Sequence, residues 1–102
     1  MKVIKEIVES MHEEIEGAED YAKKAVRYKE EDRSLADAYY SMAGQELGHV
    51  DMLHAQVVRI IKAYQAAGNE PPAVMKAVWD WEHGKVMDHV AKVKVLLETY
   101  RK

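Results

Sequence analysis

Apolar side chains return every three or four residues along nearly the whole chain. From residue 2 to about 30 they fall at Ile4, Val8, Met11, Ile15, Ala18, Ala22 and Ala25, the spacing of one face of an amphipathic helix at about 100° per residue. The polar side is acidic early (Glu6, Glu9, Glu13, Glu16) and basic late (Lys23, Lys24, Arg27, Lys29), the order that the helix dipole favours. The pattern breaks at Glu30-Glu31-Asp32-Arg33-Ser34, where Asp32 or Ser34 can cap a following helix. That second helix is expected over about 34–67, closed by Gly68, a residue type that accepts the left-handed conformation after a helix. Asn69-Glu70-Pro71-Pro72 makes the next turn, since proline cannot continue a helix but tolerates its first turn. A third helix then runs over about 73–100, with a stripe at Met75, Val78, Trp79, Val86, Val90, Val93, Leu96, Leu97 and Tyr100.

The second helix carries two adjoining stripes. One is Leu35, Tyr39, Met42, Leu53, Val57, Ile60 and Tyr64, and the other is Ala36, Tyr40, Ala43, Leu47, Val50, Val58 and Ile61. Roughly half its circumference is apolar, more than one neighbouring helix needs, so contact with several helices is expected. Short loops imply antiparallel neighbours. The expected fold is all-α: one domain over residues 1–102, built from three long helices running up, down and up.

Composition narrows the functional classes. Of 102 residues, 48% are apolar and 32% charged, and 15 basic against 18 acidic side chains give a net charge of −3. Nothing in that balance calls for a nucleic-acid or membrane surface. The N-terminal stretch is charged and amphipathic, and no long apolar run occurs, which points to a cytoplasmic protein. The absence of cysteine excludes disulfides, zinc knuckles, iron–sulfur clusters and a thiol nucleophile, so a metal would have to be held by His, Asp and Glu.

Polar residues placed on apolar faces then become informative. Glu46 falls in the middle of the first stripe of helix two and His49 at its edge. A carboxylate there must be paired, protonated or metal-bound. Glu-x-x-His on an inward helix face is the pattern of di-metal bundles, whose shell is completed by Glu from neighbouring helices. On helix one, Glu14 lies near the edge of the stripe, and Tyr21 follows two turns later on the same side.

Glu14-x6-Tyr21 with Glu46-x2-His49 resembles the ferritin-like superfamily of di-iron proteins, which includes bacterioferritin and rubrerythrin. The wording of Glu13-Glu14-Ile15-Glu16-Gly17-Ala18-Glu19-Asp20-Tyr21 and His49-Val50-Asp51-Met52-Leu53 is most similar to encapsulated ferritins, over about residues 10–60. The resemblance implies Glu14, Glu46 and His49 as iron ligands, with Mn or Zn as substitutes, and Tyr21 as a neighbour that hydrogen-bonds a ligand or donates an electron. It implies ferroxidase chemistry, Fe(II) to Fe(III). Rubrerythrin-type peroxidase chemistry ranks lower, because no cysteine-bound iron can supply electrons. Encapsulated relatives carry a cargo peptide after the helices; the ending Leu97-Glu98-Thr99-Tyr100-Arg101-Lys102 gives no support for an encapsulating shell.

Register supports the pairing independently. Residues 14 and 46 are nearly equidistant from a loop centred near 31 or 32, a mismatch of about 2–3 Å of rise. Two carboxylates and one imidazole are half of a ferritin-like di-iron set, so a homodimer or higher homo-oligomer is expected to complete a four-helix-type bundle around the site. Glu82 and His89 lie on the buried side of helix three and are weaker candidates. Glu82 is roughly 18 Å too far along to join Glu46 and is expected to pair near Arg59; His89 misses by less. His12, His54 and His83 are expected to be solvated or interfacial, and Asp51-x2-His54 and Asp80-x2-His83 to repeat the ligand spacing by coincidence. Trp79 and Trp81 read as packing or interface residues. The alternative function is a metal-free helical assembly or adaptor module that binds partners through its apolar faces.

Overall fold

The computed structural model describes residues 2–102, and among them the only regular structure is three α-helices: α1 (Lys2–Tyr28), α2 (Arg33–Ala66) and α3 (Ala73–Arg101). Each end lies within about two residues of the place that periodicity gives it. Of the two possible caps for α2, Asp32 does the work, its carboxylate accepting from the Leu35 N–H at 3.1 Å. The other end of α2 closes on Gly68, whose φ is 85°. Gly68 N–H donates to the Gln65 carbonyl at 2.9 Å and Asn69 N–H to that of Tyr64 at 3.3 Å, the paired bonds of a Schellman ending. After Pro71, the Pro72 carbonyl accepts from Lys76 N–H at 3.1 Å and starts α3.

Burial shows how the helices fit together. α1 buries Ile4, Val8, Met11, Ile15, Ala18, Ala22 and Ala25 in alternating steps of four and three. α2 buries Ala36, Ala43, Val50 and Val57, and α3 buries Val86, Val93 and Tyr100, every one seven residues from the next. A seven-residue repeat keeps a seam on one line only if the helices wind around each other in a left-handed sense. α1 packs along both partners, whereas α2 and α3 scarcely touch. The molecule is a rod of 57 × 19 × 18 Å with α1 as its spine.

Two expectations about α2 change. Its buried seam runs through the second stripe and Val57, while Leu35 and Met42 of the first stripe stay 38% and 37% exposed. The alanines explain this: Ala18, Ala22 and Ala43 share one buried cluster and Ala25 and Ala36 another, so the backbones of α1 and α2 approach most closely along small side chains. α2 also does not meet several helices within the chain, because α3 lies mainly on α1. The side of α2 that carries Glu46 is therefore left partly open.

Candidate metal centre

The antiparallel α1–α2 hairpin brings Glu14 level with the turn of α2 that carries Glu46 and His49. His49 Nδ1 stands 3.2 Å from Glu14 Oε2 and 4.0 Å from Glu46 Oε1. One ligand atom from each of the three residues lies within 4.8 Å of the others. Their side chains are 30%, 25% and 51% exposed in the order Glu14, Glu46, His49. Glu46 is thus at the rim of the hairpin rather than in a closed core, on the same side of α2 as the exposed Leu35 and Met42. Gly17 leaves room beside it; a Cβ there would meet Glu46 Oε2 at 3.4 Å.

The two carboxyl groups are not equivalent. Hydrogen bonding with Glu46, and then His49 beside it, hold Glu14 below the usual carboxylate range against partial desolvation. The same hydrogen bond, together with desolvation and the charge of Glu14, pushes Glu46 up. Of the two, Glu46 is the carboxyl that holds a proton more readily, and when protonated it donates to Glu14. Two carboxylates and an imidazole form an oxygen–nitrogen donor set of the kind that suits Fe, Mn or Zn. A cation among these three atoms would relieve the repulsion that the proton relieves in its absence.

The remaining sequence candidates lie elsewhere. Tyr21 stacks on Tyr39 with ring centres 6.0 Å apart, and Tyr39 stacks in turn on Tyr28 at 6.3 Å. Among the described residues, no hydrogen bond joins Tyr21 to Glu14, Glu46 or His49. Glu82 does not join the site, but not for the expected reason: its partner is His12, at 2.7 Å, with Lys85 at 3.8 Å. His12 is only two residues from Glu14, so Glu82 stands near the level of the site and not about 18 Å along. What separates them is that His12 and Glu14 point to opposite sides of α1. Arg59, the expected partner, donates to Gln56 at 2.9 Å. α3 lies on α1, so Glu82 meets an α1 residue. His89 pairs with Glu19 at 3.4 Å. Desolvation raises Glu19, but the Lys92 hydrogen bond, Lys23 and His89 outweigh it and leave the group below its ordinary value.

The His residues that sequence reasoning set aside are better placed than expected. His54 and His83 meet across α2 and α3, their Nε2 atoms 3.1 Å apart and part-buried. The equal spacing of Asp51-x2-His54 and Asp80-x2-His83 was the available signal, but only the α2–α3 register reveals that the two imidazoles converge. Trp79 packs beside both rings, while Trp81 is 65% exposed on the outside of α3. Neither a known protein family nor a curated protein nor a solved structure matches the chain.

Proposed function

We propose that Glu14, Glu46 and His49 are half of a di-iron centre, completed by the same residues of a second copy, and that the protein is a ferroxidase. The observation that carries the reading is the convergence of two carboxylates and one imidazole from two helices onto one point. Iron bound there would supply electrons one at a time from Fe(II) to an oxidant such as dioxygen. The residues' own part is to bind and orient: Glu14 is the more acidic carboxyl and Glu46 the one that holds a proton more readily, a proton that an entering cation would displace. Nδ1 is the ring nitrogen of His49 that faces both carboxylates. Tyr21, two turns along α1 from Glu14 and stacked on Tyr39, would be the electron donor to this centre and not a hydrogen-bond partner of a ligand.

Chelator-treated protein titrated with Fe(II) under nitrogen should take up two irons per pair of chains, and Glu46→Ala should take up none at this site. An Ala variant with the parent's stoichiometry would remove the assignment. Its metal-free stability should stay the same or rise, since a carboxyl pair is lost.

A second reading, a metal-free adaptor, is favoured by the outer face of α3, where Val74, Val78 and Trp81 are 76%, 54% and 65% exposed at i, i+4 and i+7. It leaves Glu14, Glu46 and His49 without a role. Metal analysis of protein purified without chelator separates the two.

A further inference from the structure

We infer that His54 and His83 form a second metal site, a two-imidazole clamp for a late divalent transition ion such as Zn2+, distinct from Glu14, Glu46 and His49. The Nε2 atoms are 3.1 Å apart, and the rings are tilted by 36° with centres 5.0 Å apart. At a Zn–N distance of about 2.0–2.1 Å, two nitrogens on neighbouring positions of one ion stand about 2.9–3.4 Å from each other. The two imidazoles already have that separation. Without metal, one ring donates its Nε2–H to the other's Nε2; on binding, that proton moves to Nδ1 of the same ring, so that both neutral imidazoles present an Nε2 lone pair to the cation.

The surroundings suit a cation with partly open coordination. Trp79 stands against the rings, 6.0 Å from His54 and 5.3 Å from His83, and restricts water on its side. Asp51 and Asp80 each precede a histidine by three residues, one helical turn away, and both are exposed. Neither carboxylate converges with the two imidazoles as a direct ligand, so water would fill the remaining positions on the ion. Imidazole donors favour Zn, Cu and Ni over Mg or Ca. The clamp joins α2 to α3, two helices that otherwise scarcely touch, so bound metal would fasten α3 in place and stabilise the fold by mass action.

The test uses the Glu46→Ala chain, which lacks the first site, freed of metal by chelator and titrated with Zn2+. Calorimetry should give one Zn2+ per chain, the ring signals of His54 and His83 should shift while those of His12 and His89 do not, and the melting temperature should rise with Zn2+. Adding His83→Gln, or separately His54→Ala, should weaken binding by at least about tenfold and remove the rise in melting temperature, with helical circular dichroism reporting that each variant is folded. If one variant fails to fold, the other and the ring signals still decide. The inference is overturned by an absence of saturable binding, by binding that survives both substitutions, or by shifts centred on other histidines.

Discussion

Tyr100 donates its hydroxyl to Asp37, which also accepts from Arg33 at 3.3 Å, so α3 is tied to the start of α2 by one buried phenol and one exposed carboxylate. The Tyr100 hydrogen bond, and then Arg33, hold Asp37 below its ordinary value against some desolvation. Burial, followed by the Asp37 carboxylate, pushes Tyr100 above its own. The signs set a window. Asp37 contributes stability above the unfolded value of about 4 and loses it as pH falls through the lower folded value. Tyr100 contributes below about 10 and loses it as pH rises through the raised folded value. Asp37→Asn should therefore melt below the parent at neutral pH, with the gap closing in acid. A gap that did not change with pH would mean that the carboxylate's charge plays no part.

At the scale of the element, Gly17 sits in the interior of α1, where glycine costs about 0.5–1 kcal/mol relative to alanine. A Cβ there would be in ordinary contact with Glu46 Oε2, so Gly17→Ala should raise the stability of the metal-free protein by up to about 1 kcal/mol in urea. Gly17→Leu must displace Glu46 and should weaken iron binding. A destabilised Ala variant would mean that Glu46 needs more room than the structure gives it. The helices themselves were legible, because seven apolar positions of α1 recur in strict steps of three and four and all seven are buried. The seam of α2 was not. Leu35 and Met42 outweigh Ala36 and Ala43 in hydrophobicity, yet the alanines are buried because close backbone approach depends on small size. Periodicity fixes which residues share a face, and not which of two adjoining faces a neighbour will cover.

At the scale of the molecule, the convergence of Glu14, Glu46 and His49 was legible because a short loop fixes the register of a hairpin. The partners of Glu82, His54 and His83 were not, since they depend on α3 lying against α1 and on a second register that no motif records. On the proposed reading, a second copy would pack on the open side of α2, at Leu35, Met42, Glu46 and His49, beside Glu14 of α1. Sedimentation should show dimers in the iron-loaded protein, and Glu46→Ala should shift the balance toward monomer when iron is present. A monomer that binds two irons at full affinity would exclude the shared centre.

The position of α3 has a consequence for how the rod comes apart. α1 and α2 are joined along their whole length, whereas α3 rests mainly on α1 and meets α2 at few places, among them His54–His83 and Tyr40–Tyr100, whose rings stack at 4.9 Å. A helix held in that way can open as a unit while the hairpin keeps its core. Amide exchange should then be faster across the whole of α3 than across α1, and a protease should cut first in the connection between Gly68 and Pro72. Equal protection of the three helices would mean that the rod opens only as a whole.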